Sequence, residues 1–150
     1  MSAKAKKQKA LKIAPEEYRE FIQGLSVKNI YAKSLRSVCL QEGLQPGPNK
    51  GLEMKEDVQY KVLEGDAFKV YQTYKLSIME KVEKESIPRL EIECEYVVLY
   101  EAQVPMTDEL FAVFSDINVP LNTWPYFREY VHSSFQRLNV PAFILPPFKL

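Results

Sequence analysis

The chain has little of what most catalytic sites are built from. His132 is the only histidine in 150 residues, which leaves no histidine pair for a metal or an acid–base couple within one copy. Cys39 and Cys94 are the only cysteines and lack CxxC spacing, so they read as two reduced thiols rather than a zinc site or a disulfide framework. Asp57, Asp66, Asp108 and Asp116 are scattered and form no spaced carboxylate motif. No GxxxxGK[ST] loop is present, which removes the usual phosphate cradle. The formal net charge is +0, so the field that draws proteins to nucleic acid is missing. No run approaches the ~20 apolar residues that cross a bilayer. Lysines at 4, 6, 7, 9 and 12 have no apolar run behind them, as a signal peptide would. These features read as a non-enzymatic, cytoplasmic protein with no cofactor.

Aromatic side chains, by contrast, are plentiful: eight Phe and nine Tyr. Residues 1–13 read as a solvated, disordered basic tail and 14–150 as one domain, long enough to bury a core. Residues 14–25 read as a short amphipathic helix. Pro15 suits its first turn, Gly24 suits its end, and Tyr18, Phe21, Ile22 and Leu25 share one face. Residues 27–38 predict a strand of imperfect alternation, with room for a bulge. Three of the five glycines fall between Gln41 and Gly51, which reads as a loop. Val58, Tyr60 and Val62 alternate in a short strand. A longer pair follows: Phe68, Val70, Tyr74, Leu76 and Ile78 share one face, and Leu90, Ile92, Cys94, Tyr96, Val98 and Tyr100 share another. The charged stretch 81–88 joins them. Periodicity then lapses. Thr107, Asp108 and Glu109 open at most a helical turn, and Pro120 is expected to end it.

A final helix is expected over 124–138. Asn122 or Thr123 would cap it and Pro125 would occupy its first turn. Phe127, Val131, Phe135 and Leu138 form an apolar stripe, with Arg128, Glu129, His132 and Gln136 on the opposite side. Ser134 lies inside the stripe, where a small residue lets another backbone come close. Asn139 suits a left-handed end, and Pro141 forbids continuation. The fold class is therefore α+β: a four-stranded antiparallel sheet with helices segregated to one face.

The ending carries a family resemblance. Trp124, Pro125, Tyr126, Arg128 and Glu129, then Pro141, Phe143, Leu145 and Pro147, resemble a segment of the SecB protein-export chaperones: aromatic–Pro–Tyr–x–Arg–Glu, a helix, then Pro–x–apolar–x–Leu–x–Pro. Asn29-Ile30-Tyr31 and Cys94-Glu95-Tyr96 resemble two further pieces. The resemblance implies an ATP-independent holdase for unfolded or nascent polypeptides, and a homotetramer built as a dimer of dimers. It implies a client groove beside the crossover loop, with Leu40, Leu44, Leu52 and Met54 joined by Phe143, Ile144 and Phe148. It places Phe127, Val131, Ser134 and Leu138 at a contact between copies. Of the acids that contact SecA in that family only Glu95 remains, with Ser34 and Val38 at the other two positions, so SecA binding is expected to be weak. A branch that protects an antitoxin is an equally good home. A small apolar-ligand-binding protein is the alternative, since a curved sheet wrapped by a helix can also enclose a ligand.

Overall fold

The structure is a computed structural model, and it describes residues 13–141 and 145–148. The element order is helix α1 (Pro15–Gln23), strands β1 (Leu25–Cys39), β2 (Lys50–Val62), β3 (Ala67–Val82) and β4 (Glu85–Ala102), then helix α2 (Asp108–Arg137). All strand pairs are antiparallel and the sheet order is β1-β4-β3-β2. Consecutive strands β1 and β2 thus occupy opposite edges, and residues 40–49 cross between them. This is the expected α+β class. Of the expected basic tail, residues 1–12 lie outside the described residues, and Ile13 belongs to the core rather than to a tail.

Period-two alternation places the core. Phe68, Val70, Tyr74 and Leu76 of β3 and Leu90, Ile92, Cys94, Tyr96, Val98 and Tyr100 of β4 are all buried beneath the helices. Gln72 shares that face and is buried too, its amide Nε2 donating to the Thr73 carbonyl. The alternate residues Glu91 and Glu95 face the other side, where Lys75, Arg36 and Lys33 pair with them. The hairpin β3–β4 is tighter than the charged stretch 81–88 predicts. The strands run through Val82 and resume at Glu85, with Glu83 at φ 59 in the turn. Gly65, at φ 71, supplies the left-handed residue of the β2–β3 turn.

Strand β1 carries two register shifts, at Val27/Asn29 and Ala32/Ser34, which account for its imperfect alternation. Leu25, read as helical, is instead the first residue of β1, because Gly24 ends α1 there. Phe21 is fully buried and packs on Phe68 and Phe114, with ring centroids 6.3 and 5.6 Å away. That contact holds a nine-residue helix too short to persist alone.

The main correction concerns α2. Pro120 does not end a helix, and Asn122 and Thr123 do not begin one; a single 30-residue helix contains both Pro120 and Pro125. Its cap is Thr107, whose hydroxyl accepts from the Leu110 N–H. A helix-interior proline costs about 3 kcal/mol. Here tertiary contacts on both sides of Pro120 offset it. Leu110, Val113, Phe114 and Val119 are buried before it or beside it, and Phe127, Val131 and Phe135 after it. Three tyrosine hydroxyls also reach the helix around the proline: Tyr18 donates to Asn118 Oδ1, Tyr100 to Asn122 Oδ1 at 2.8 Å, and Tyr74 lies 2.7 Å from Thr123 Oγ1. At the far end Asn139 adopts φ 56 as expected. The N–H groups of Asn139 and Val140 bond the carbonyls of Gln136 and Phe135, closing the helix in a Schellman motif.

Candidate functional site

A trough runs along the inner face of β2. The strand lies at the sheet edge, outside the strip that α2 covers. Register with β3 puts Leu52, Met54, Glu56 and Val58 on the helix side. Leu52 and Met54 are nonetheless 46% and 40% exposed, because no helix of the described residues lies over them. Three adjoining hollows follow the strand. The first, of 230 Å³, lies between Leu52, the crossover residues Leu44 to Gly47, and Phe135, Val140 and Pro141 at the end of α2. The second, of 360 Å³, is lined by Met54, Tyr74, Trp124 and Phe148 among others. The third, of 950 Å³, runs from Met54 to Val58 against Asp108, Phe111, Ser115 and Asp116.

Two sets of contacts fix its shape. The crossover is tied down at both ends: the Leu40 N–H donates to the Arg89 carbonyl, and Lys50 Nζ donates to the Gln45 carbonyl at 2.5 Å. The same ammonium lies 3.6 Å from Glu80, which also accepts from Arg89 at 2.9 Å. The Arg89 guanidinium holds the Glu80 carboxyl below its ordinary range, with Lys50 adding to the effect. On the other side, Trp124 Nε1 donates to the Pro146 carbonyl at 2.8 Å and Arg128 Nε to the Leu145 carbonyl at 2.6 Å. Leu145 is buried in the core, and these bonds carry Phe148 to the middle hollow. Beneath it Tyr74 stacks on Phe127 with centroids 4.9 Å apart.

The site residues read from sequence scatter over several places. Leu52, Met54 and Phe148 do come together in the trough. Leu44 lines one hollow but is 2% exposed, so it is first a core residue under the crossover. Leu40 is exposed beyond the end of β1, beside Arg89, and lines none of these hollows. Phe143 and Ile144 lie outside the described residues. Leu52 and Met54 are strand residues rather than loop residues, since β2 begins eight positions before Val58.

The stripe on α2 has a different role from the one expected. Phe127, Val131 and Ser134 are buried within a single copy, and Leu138 packs against the same core cluster. Phe127, Val131 and Ser134 are therefore already covered by their own chain, whereas Leu138 is only partly buried. Glu95 lies on the outer sheet face, opposite Ser34 and 3.6 Å from Lys33 Nζ. His132 takes no part in any of the hollows described.

The helix wall of the trough was missed by sequence reasoning. A helix stop at Pro120, which the local rule for proline predicts, separates Phe111 and Ser115 from Trp124. A signal was there: Leu110, Val113, Phe114 and Ile117 recur at helical spacing after Thr107, and Phe127, Val131 and Phe135 continue it.

No protein-family model matches the chain, and no curated protein sequence does. Among solved structures, it is similar to the SecB-like chaperone Rv1957 of Mycobacterium tuberculosis, which was solved in complex with a ChAD peptide from the Rv1956 HigA1 antitoxin. The two superpose with a TM-score of 0.70 at 16% identity, over 86% of this chain and 94% of that one. A protein of unknown function from Streptococcus agalactiae aligns over 81% of this chain and 96% of its own at 9% identity, with a TM-score of only 0.44. With its strand order, its crossover and its long helix on one face, the chain has the fold of the SecB-like chaperones.

Proposed function

We propose that the protein is an ATP-independent holdase that captures extended, apolar polypeptide segments in the trough between β2 and α2. The observation that carries the reading is the trough itself. Leu52 and Met54 stay half-exposed on an edge strand, in a fold shared with a chaperone solved with an antitoxin peptide. Contiguous exposed apolar surface in a concave strip is the kind of surface on which partners dock. A client would bury apolar side chains on Leu52, Met54 and Phe148.

One dedicated client, such as an antitoxin, fits this reading better than general export. Ser34 and Val38 stand where carboxylates would be needed for SecA, and Glu95 is already paired with Lys33. SecA binding should therefore be weak. The working form would be a cytoplasmic homotetramer, a dimer of dimers, whose contacts avoid the buried stripe on α2. The small-ligand alternative has less support, because the hollows along β2 form an open trough.

The test is dilution of a denatured client into buffer with and without the protein, nucleotide omitted. A photoreactive side chain at position 52 or 54 then reports where the client lies. Suppressed aggregation with crosslinks at both positions is expected. An absolute need for ATP, no suppression at several-fold excess, or crosslinks confined to the outer sheet face would overturn the proposal.

A further inference from the structure

A fourth hollow lies on the opposite side of α2 from the trough, against strand β1. Its volume is 220 Å³, and Tyr31, Leu35, Tyr96, Tyr126, Glu129 and Tyr130 are among its lining residues. Four tyrosines and one carboxylate around a space this small differ in kind from the aliphatic first hollow of the trough. The Tyr96 and Tyr126 ring centroids are 6.4 Å apart with their planes inclined by 43°. Tyr126 is the open ring of the pair, at 51% exposure, and a cation over its face would lie inside the ~6 Å over which a ring attracts positive charge. Tyr130 is held by its hydroxyl, 3.4 Å from Ser37 Oγ on β1.

Two further features point to a ligand. The Tyr96 hydroxyl is buried, on a residue 3% exposed, and has no hydrogen-bond partner among the described residues. The Cys94 thiol beside it is a weak partner at most, and burial pushes that thiol up to about 11. A phenol left in this state has an unused acceptor, at a cost a native fold seldom carries without reason. Glu129 is exposed at the same hollow, one helical turn beyond Tyr126, and makes no ion pair with a Lys or Arg of the described residues.

We propose that this hollow is a cation cage for an arginine side chain of a partner polypeptide docked along β1. A guanidinium is flat enough to stack on Tyr126, and its several N–H groups can serve both the Glu129 carboxylate and the Tyr96 hydroxyl. An ammonium would satisfy the charge but not the stacking. The site is separate from the β2 trough, and its assignment does not depend on the client reading.

The experiment titrates the full-length chain with acetyl-Ala-Ala-Arg-Ala-Ala-amide and with the same peptide carrying lysine or citrulline, following tyrosine ring resonances by NMR. The shifts should concentrate on Tyr96, Tyr126 and Tyr130. The arginine peptide should bind about fivefold more tightly than the citrulline peptide, with lysine between them. Glu129→Gln and Tyr126→Leu change exposed residues, so both variants should keep the wild-type melting curve while weakening the arginine peptide by about threefold to fivefold. Equal binding of citrulline, or no effect of either substitution in a folded variant, would overturn the cage. Equal binding of lysine would overturn the guanidinium assignment. Light scattering on the same samples tests the occupant: a fall in mass as peptide is added would mean that a second copy of the chain, not a separate partner, fills the site.

Discussion

Replacing Leu52 and Met54 together by serine should separate client capture from stability. Full burial of a Leu or Met side chain contributes about 1.5–3 kcal/mol. Both residues are already somewhat more than half buried in the free protein, at 46% and 40% exposure. The fold therefore draws about 1 kcal/mol from each, and the remaining ~1 kcal/mol of each becomes available only when a client covers them. The double variant should lose about 2 kcal/mol of stability, a melting shift of about 4–8 °C for a domain of this size. It should bind client about 30-fold more weakly. Leu44 is the control from the same wall. At 2% exposure it has almost nothing left to give a client, and Leu44→Ser should cost the fold about 2–5 kcal/mol. The assay is fluorescence anisotropy of a labelled unfolded client, with melting by circular dichroism alongside. If the double variant binds as well as the native chain while folded, the trough is not the capture surface. If it instead melts as far down as Leu44→Ser, the residues belong to the core and the division of energy above is wrong.

Further consequences are equally direct. Ser134→Arg should destabilise the fold severely rather than split an assembly, because a buried unpaired charge costs about 3–5 kcal/mol; a folded, normally melting variant of lower mass in light scattering would refute this. Thr123→Val should destabilise more than Tyr74→Phe: the first strands a buried tyrosine hydroxyl at about 1–3 kcal/mol, while the second leaves Thr123 still donating to the Val119 carbonyl and costs about 1 kcal/mol. Equal losses in urea melts would show that the pair does not work as drawn. Arg89 lowers the Glu80 carboxyl from its ordinary 4.5, so the folded state binds that proton less readily than the unfolded chain. Its stabilising effect is complete above about pH 4.5 and fades as pH falls through the lowered value; the Glu80→Gln variant should lack that part of the acid slope in melting against pH, and an unchanged slope would remove Glu80 as its source.

The sheet was legible because alternation is a local signal with a fixed period. Phe68 to Ile78 and Leu90 to Tyr100 announce their faces residue by residue, and the structure buries those faces. Strand β1 was legible as a strand, and even its irregularity showed, since a bulge breaks alternation where it occurs. The first half of β2 was not. Lys50 to Asp57 lies at an edge with one face uncovered, so its charged and apolar residues follow exposure rather than a core pattern. The same cause hid the trough. Leu52 and Met54 were picked out as apolar residues near a loop, but nothing in a one-dimensional pattern says that they stay uncovered. The stripe on α2 was read correctly as apolar and assigned to the wrong neighbour. Periodicity shows that a face is buried, not whether its partner is the same chain.

Pro120 is where local chemistry and tertiary structure disagree most, and the disagreement bears on function. A proline removes one helix hydrogen bond and crowds the preceding turn, so the local rule ends the helix there. The tyrosine hydroxyls at Asn118, Asn122 and Thr123 hold the chain helical on both sides of it. The result is one rod of 30 residues, about 45 Å long, comparable to the ~53 Å of 16-residue β3. A rod of that length takes one line across a sheet. It covers β3 and β4, whose inner residues are buried, and leaves Leu52 and Met54 of β2 on one side and the tyrosine-lined hollow at β1 on the other. Two short helices with a break at Pro120 could each tilt independently and shield one of those edges. The continuity of α2 and the openness of both edge sites are thus a single structural fact, and the tyrosine contacts around Pro120 maintain it.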